Sequence, residues 1–458
     1  MIRVVLEGGI TLTEAYMRGF GDDFEGTQKG FIDYLLLDED GFPLALIEAK
    51  RESIHPLNAK EQARKYAVAE GIQYIILSNG NLHYLWNLEE GNPQIISKFP
   101  SQDSFKAFKE FKPDKSKLIN EVINNDYIAL TQKPNYDKSP DWINELIRPQ
   151  FIESNGLRFL RYYQSDAVKA IQGAVANGEN RFLFEMATGT GKTLTSAAII
   201  KLFLRTGNAR RVLFLVDLIE LEDQAYKNFK NYLKNDFLTV IYKEKRNEWY
   251  RAEIVVSTVQ SLLVNDKYLD IFNPTDFDLI ISDEAHRSIG GNTRAVFEYF
   301  HGYKLGLTAT PKDYLKGVEA AQDDFIHPKE MEIRLLKDTY ITFGCEDGNP
   351  TYRYSLLDGV KDGFLINPTA IDARTDITTQ LLSDEGYDVV TTTEEGKEET
   401  QTFVHRDFEK KFFSRKTNLA LVQAFMDHAL TDPITNEIGK SLVFCVSQNH
   451  ARKITEIL

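Results

Sequence analysis

The sequence predicts an α/β protein with two kinds of domain: a small mixed α/β domain first, then parallel sheets covered by helices. The chain has 458 residues, enough for about three domains at roughly 150 residues each. From Arg158 onward, near-continuous apolar runs (RFLFEMAT, RVLFLVD, EIVVST, FDLIISDEA, YKLGLTATP) alternate with helical stretches, the pattern of strands buried on both faces of a parallel sheet. Before it, the short runs FIDYLLL, PLALIEA, IQYIILSNG and NLHYLWNL accompany one helical stretch, which suits a compact mixed domain.

In order, residues 1–115 are expected to form the mixed domain, and 116–157 a polar linker with helices, broken by prolines 134, 140 and 149. Residues 158–338 form the first parallel-sheet domain. A second begins at 339 and includes KSLVFCVSQNHARKITEIL, a strand followed by a helix. Residues 339–458 are too few for a complete doubly wound domain, so the chain is expected to continue beyond Leu458. The charged stretch EEGKEETQ at 394–401 reads as a loop.

Composition narrows the class. Fifty-four Lys plus Arg against 68 Asp plus Glu give a net charge of −14, with 42% hydrophobic and 27% charged residues. That is a globular balance, excluding disorder, collagen and coiled coil as descriptions of the whole. An acidic body does not hold nucleic acid by bulk charge, though a local basic groove is compatible with it. Two cysteines, Cys345 and Cys445, make neither a disulfide framework nor a zinc site. No run approaches the roughly 18 apolar residues of a membrane span. The opening MIRVVLEGG has no basic region leading into an apolar core. No membrane association and a cytoplasmic location are expected.

The strand RFLFEM runs into ATGTGKT at 187–193 and then into a helical pattern. Glycines after a strand turn backbone N–H groups inward around phosphates, and the following helix aims its positive end at them. Thr188, Gly189, Thr190 and Gly191 form that cradle, Lys192 reaches the β and γ phosphates, and the Thr193 hydroxyl can ligate Mg²⁺. Met186 stands where the general pattern has its first Gly. FDLIISDEAH delivers Asp283 and Glu284 to a strand end, one to hold Mg²⁺ and one to orient and deprotonate the attacking water. Another strand ends in LGLTATP, at Thr308 and Thr310. Upstream, LRYYQ offers Gln164 to an adenine edge, with Tyr162 or Tyr163 to stack.

Four such segments in this order, each at a strand end, resemble the first RecA-like domain of superfamily-2 helicases and translocases, over residues 158–311. The resemblance implies that His286, Thr308 and Thr310 couple ATP state to DNA, and that LVDLIELEDQ and VSTVQSL line the nucleic-acid strand. Leu218 stands where related motors commonly carry Arg. Hydrolysis in that superfamily also uses an arginine finger from the second RecA-like domain, in a motif expected beyond Leu458.

FIDYLLLDEDGFPLALIEAKR reads as two strands about a DEDG turn. Folding it about Glu39 and Asp40 sets Asp33 opposite Leu46. Because side chains alternate, residues 46, 48 and 50 share that face, so Asp33, Glu48 and Lys50 converge. Two carboxylates can hold Mg²⁺, and a lysine beside them can position water or offset charge on a cleaved phosphodiester. Glu-x-Lys also begins at Glu110, Glu395 and Glu409, but only the one at Glu48 ends an apolar strand facing an acid. Next comes a helix with Gln62 and Tyr66 on one face. This resembles the PD-(D/E)xK nuclease fold in its RecB-like form, which carries Gln-x-x-x-Tyr after the lysine. In that family an acid of the first helix can complete the metal site, with Glu14 as candidate and Glu25 as runner-up.

The order EAKR, QARKYA, ILSNG, LRYYQ, MATGTGKT, ISDEAH, LTATP is similar to that of the restriction (motor) subunits of type I restriction endonucleases. GVKDGFLINP and KSLVFCVSQNHA resemble that family's second motor domain. The resemblance implies ATP and Mg²⁺ as cofactors and double-stranded DNA as substrate. The partners it implies are specificity and modification methyltransferase subunits. ATP-driven translocation would lead to cleavage of unmethylated DNA. A stand-alone superfamily-2 helicase or repair translocase, with an inactive nuclease-like clamp, would share every motor motif but cut nothing.

Overall fold

The computed structural model describes residues 3–11, 29–38, 40–89, 92–244, 248–288, 291–312, 338–345, 347–368, 388–392, 398–402, 415–445 and 447–458. They fall in two compact units, Met1–Ile366 and Asn367–Leu458.

The first unit opens with a six-stranded sheet in sequence order: β1 (Arg3–Thr11), β2 (Lys29–Leu37), β3 (Pro43–Ala49), β4 (Tyr74–Ser78), β5 (His83–Asn87) and β6 (Gln94–Ile96). Every pairing is antiparallel except β3 with β4. A parallel step needs a crossover, and helix α1 (Lys60–Ala69) supplies it. Ala63 and Ala67 of α1 pack with Leu46, Ile75 and Leu77. Phe105 of α2 (Gln102–Glu110) packs with Ala45, Tyr74 and Ile76. Successive residues of β3 and β4 therefore serve opposite faces, which fixes the register of the strand that carries Glu48.

The second sheet of this unit has seven strands: β7 (Arg181–Met186), β8 (Val212–Val216), β9 (Thr239–Ile241), β10 (Ile254–Thr258), β11 (Leu279–Asp283), β12 (Tyr303–Thr308) and β13 (Tyr352–Tyr354). Their order is β13-β7-β12-β11-β8-β10-β9, all parallel. Phe182, Phe184, Phe214 and Ile281 pack with α3 (Tyr162–Ala176), α4 (Lys192–Arg205) and α5 (Ile219–Leu233). Leu183, Leu213, Leu215 and Ile280 pack with α6 (Val259–Leu263) and the helix Gly291–Tyr299. Burial on both faces explains the unbroken apolar runs.

One expectation about boundaries changes. Residues 339–366 do not start a second motor domain. β13 is the edge strand of the first parallel sheet, Ala187 N–H donates to the Tyr354 carbonyl at 3.0 Å, and Tyr354 stacks on Tyr163 at 3.9 Å, so the division falls at 366. The 116–157 stretch carries short helices, among them Lys115–Asn120 and Arg148–Asn155, and it packs on the parallel-sheet domain. Leu118 and Ile128 are buried in that core, and the Gln172 amide donates to the Leu118 and Glu121 carbonyls at 2.8 and 2.9 Å. Lys201 of α4, pulled down to about 8 by burial, donates to the Tyr127 carbonyl at 2.5 Å. A buried ammonium is tolerated only where its protons are taken up in this way.

In the second unit, described by itself, Asp388–Thr392 and Glu398–Thr402 pair as an antiparallel ribbon, so 398–401 is strand where a loop was expected. The first strand, Asp-Val-Val-Thr-Thr, is rich in the β-branched residues that suit a strand. The helices Arg415–His428 and Gln448–Thr455 meet through His450 Nε2 and Asn418 Oδ1 at 3.2 Å. The strand expected in KSLVFCV does not form among the described residues: Leu442, Val443 and Phe444 are exposed. A central parallel strand exists only between neighbours that take up its N–H and C=O groups, and among the described residues no strand pairs with it.

Candidate active sites

At the first site β7 ends at Met186, a turn of Ala187–Gly191 follows, and α4 begins at Lys192. Gly189 and Gly191 have φ of +84° and +81°, where glycine alone is comfortable. A Cβ on Gly191 would lie 2.5 Å from Gln164 Nε2. The Thr190 hydroxyl donates to the Ala187 carbonyl at 2.6 Å. Two residues of α3 brace the turn from beneath: the Tyr163 hydroxyl and Gln164 Nε2 donate to the Thr190 carbonyl at 2.8 and 3.0 Å. Gln164, expected at an adenine edge, is engaged with the loop in this structure. Its Oε1 accepts the Arg161 N–H at 2.9 Å, it is 3% exposed, and its amide is spent on the loop. Tyr163 is buried as well. Tyr162 is exposed and gives its hydroxyl to Asp362.

The sheet order places β12 between β7 and β11, so Thr308 ends a strand directly between the phosphate loop and Asp283. In open α/β sheets, ligands are held at this carboxyl edge. Lys192 Nζ pairs with Glu284 Oε1 at 3.4 Å. Burial raises the Asp283 pKa, with nearby Lys192 opposing the shift. Glu284 is one of the described non-glycine residues with positive φ, +50°, and its N–H donates to Asp283 Oδ1 at 3.1 Å. His286 Nδ1 lies 2.9 Å from Thr308 Oγ1 and 3.5 Å from Glu284 Oε2, and burial lowers the His286 pKa. The Thr310 N–H donates to Thr308 Oγ1 at 3.0 Å. Thr188 lines a hollow of about 290 Å³ with Ala187, Ala309, Tyr354 and Ser355. Thr193, in the first turn of α4, is half-buried.

At the second site β2 and β3 pair Tyr34 with Ile47 and Leu35 with Leu46; one further step sets Asp33 opposite Glu48. The expected partner, Leu46, is off by two. The Asp38 N–H donates to the Phe42 carbonyl at 2.9 Å, which centres the turn on Asp40, and a bulge between Leu36 and Leu37 adds the second residue. A shift of two leaves every side chain on its expected face. Asp33 Oδ2 accepts the Ala49 N–H at 2.8 Å. Lys50 Nζ donates to Glu48 Oε1 at 2.7 Å and to Gln62 Oε1 at 3.4 Å, and Gln62 Nε2 reaches the Tyr66 hydroxyl at 3.4 Å. Glu48 is 2% exposed, and its Oε2 is buried without a hydrogen-bond partner. Its pKa is raised first by burial and further by Asp33, while Lys50 opposes the rise. Glu14 and Glu25 lie outside the described residues.

Two family models match the chain: the type I restriction enzyme R protein N terminus over residues 23–100, and the type III restriction enzyme res subunit over residues 158–313. Each takes in one of the two sites. The chain is 26% identical over 440 residues to the EcoAI endonuclease subunit, a type I restriction enzyme of Escherichia coli, covering 93% of this chain and 47% of that one. It is 27% identical over 502 residues to the EcoKI endonuclease subunit of E. coli strain K12, covering 96% of this chain and 39% of that one. The chain is similar to these type I restriction enzyme endonuclease subunits along nearly its whole length. It spans less than half the length of these two. Among solved structures, a fragment described as the HsdR subunit of a type I restriction enzyme from Vibrio vulnificus YJ016 is similar, at 22% identity and a TM-score of 0.39. That match covers 99% of this chain and 69% of that one. Among the described residues, no helix is long and apolar enough to cross a membrane.

Sequence reasoning passed over three contributors to these sites. The Ala49 N–H that holds Asp33 is backbone and leaves no signature. Tyr354 and its strand follow a long stretch with no motif. Arg287 Nη1 reaches Asp217 Oδ2 at 2.5 Å; Arg287 directly follows the acidic motif, and Asp217 stands one residue past β8, so position at strand ends was the available signal.

Proposed function

We propose that this chain is the nuclease and motor part of a type I restriction endonuclease, coupling ATP-driven movement of double-stranded DNA to cutting of unmethylated DNA. The observation that carries the reading is the presence of two separate, chemically distinct carboxylate sites in one compact unit, each inside a segment matched to restriction-enzyme families.

In the motor, backbone N–H groups of Thr188–Gly191 and the start of α4 cradle the phosphates, and Lys192 leaves Glu284 to meet the β and γ oxygens. Glu284, freed of that lysine, orients the attacking water and accepts its proton, and His286 and Thr308 hold the turn that carries it. Thr193 and Asp283 would hold the nucleotide's Mg²⁺, and the burial of Asp283 at a strand end suits a carboxylate that a cation completes. In the nuclease, Asp33 and Glu48 would hold Mg²⁺. The unpartnered Glu48 Oε2 beside a second carboxylate is a donor set for a hard, oxygen-seeking ion. When bound, the ion supplies positive charge that polarises the phosphodiester and favours ionised water. The Ala49 N–H orients Asp33, Lys50 offsets charge growing on the phosphate, and Gln62 and Tyr66 keep the Lys50 ammonium in place. Specificity and modification methyltransferase subunits are the partners this reading requires, since no side-chain set in either site reads a base sequence.

The test is ATP-dependent cutting of unmethylated against methylated circular DNA by the assembled enzyme, with wild type beside Asp33→Ala. Cutting confined to unmethylated circles, to ATP and to wild type is expected. ATP consumption with intact circles in every lane would make the first domain a clamp instead.

A further inference from the structure

The segment Asp283–Ser288 combines backbone strain with very little structure of its own. Glu284 sits at φ +50°, which costs a non-glycine residue about 1 kcal/mol or more. Among the described residues the helix after it, α7 (Ala285–Ser288), has four residues, a single turn that is not stable alone. Its conformation must therefore be imposed by what grips it. Inside the turn, the Arg287 N–H donates to the Glu284 carbonyl at 2.8 Å. From outside, Lys192 meets Glu284 and the Thr293 hydroxyl donates to the Arg287 carbonyl, and a further side-chain anchor lies on each flank.

The sheet explains the flanks. β11 lies between β12 and β8, with Asp283 beside Leu307 and Ser282 beside Leu215. On the β12 side His286 meets Thr308. On the β8 side Arg287 Nη1 meets Asp217 Oδ2 at 2.5 Å, and Asp217 opens the loop into α5. That helix is itself tied down: Glu222, fully buried, accepts the Thr258 N–H at 2.9 Å through Oε1 and pairs with Lys243 through Oε2 at 2.6 Å. Thr258 caps α6. Asp217, Glu222 and Thr258 thus join the loops after β8 and β10 into one piece, on the carboxyl edge that carries the ATP residues.

We infer that Arg287 and Asp217 are a positioning pair that holds Glu284 in its strained conformation and carries the state of the β8 and β10 loops to the attacking water. The inference rests on the reading of Glu284 as the water-orienting group. Arg287 is more than half exposed, and exposed pairs contribute little to stability. The pair acts on geometry, where misplacement by about 1 Å costs up to about a hundredfold in rate. A duplex seated on the two loops shifts Asp217, and Arg287 passes that shift to Glu284 without moving the phosphate loop.

The experiment is single-turnover ATP hydrolysis by the full chain, with and without duplex DNA, for wild type, Arg287→Ala, Asp217→Ala and the double variant. Lys192→Ala serves as the control for the ATP reading itself. Each single variant is expected to lose roughly ten- to a hundredfold in the rate constant. Half-saturating ATP should stay within about twofold and the thermal midpoint near wild type, and the ratio of rates with and without DNA should fall toward one. The double variant should be no slower than either single one, because both remove the same contact. Wild-type rates in either single variant would overturn the pair, as would losses that multiply in the double variant. If Lys192→Ala hydrolyses ATP like wild type, the failure lies in the ATP reading and the pair falls with it; if only Lys192→Ala is slow, the pair alone is wrong.

Discussion

Both candidate sites bring two carboxylates to the end of a strand, but the pairs are assembled in opposite ways. Asp283 and Glu284 are neighbours in sequence, and a bend at φ +50° separates their tasks. Asp33 and Glu48 come from different strands and meet through the register of one hairpin. The first pair is therefore exposed to errors of orientation, which anchors on either side correct, and the second to errors of register, which the apolar faces of β2 and β3 correct. Their charges are also handled differently. Lys192 answers the motor acids across the sheet. Lys50 answers Glu48 from two residues away and leaves one Glu48 oxygen without a partner.

The comparison is broken most directly by disabling one site at a time. Lys192→Ala should abolish ATP hydrolysis and, with it, ATP-dependent cutting; Asp33→Ala should keep hydrolysis at wild-type rates and abolish cutting alone. Parallel phosphate-release and plasmid-nicking assays decide it, and cutting retained by Asp33→Ala would remove the hairpin site. Next in size is Gly191→Ala. A methyl group there meets Gln164 at 2.5 Å in a left-handed conformation, and should cost about 2 kcal/mol or more of stability. Nucleotide affinity should fall with it, as seen in denaturant midpoints and nucleotide titration.

The metal reading of the hairpin is sharpened by heat. Without nucleotide, Mg²⁺ at about ten times its dissociation constant should stabilise wild type by about 1.4 kcal/mol, and Glu48→Gln much less. Identical melting shifts in the two proteins would leave the carboxylate pair without its ion.

An effect of similar size concerns the junction between the two domains. His301, just before β12, stacks on Phe108 of α2 at 5.7 Å, with both ring nitrogens buried and unpartnered. Burial lowers its pKa to about 3, below an unfolded value of about 6.5. The unfolded chain then binds the proton more readily between those values. His301's contribution is fully present above about pH 6.5 and is lost as pH falls toward 3, by about 1 to 2 kcal/mol near pH 5. His301→Phe keeps the stack and should flatten that dependence, read as urea midpoints near pH 7.5 and pH 5. An equally steep loss in the variant would assign it to other groups.

How much of this was legible in the sequence follows from distance along the chain. ATGTGKT and SDEAH are contiguous, and their apolar strands announce a parallel sheet, so the phosphate cradle, Lys192, Asp283 and Glu284 could all be named before any coordinates. The period of two along β3 put Glu48 and Lys50 on one face, and a two-residue error in the turn did no harm because it preserved that face. What Gln164 touches was not legible, because its motif gives the residue and not its partner; only the packing of α3 under the loop shows the amide bonded to Thr190. Likewise, the edge position of β13, the packing of Leu118 and Ile128 into the parallel-sheet core, the missing KSLVFCV strand and the Arg287–Asp217 contact depend on which segments lie side by side. Local pattern determined the elements and the chemistry they carry. The tertiary structure alone decided which strand neighbours which, because hydrogen-bond ladders and buried contacts join residues that no sequence period relates.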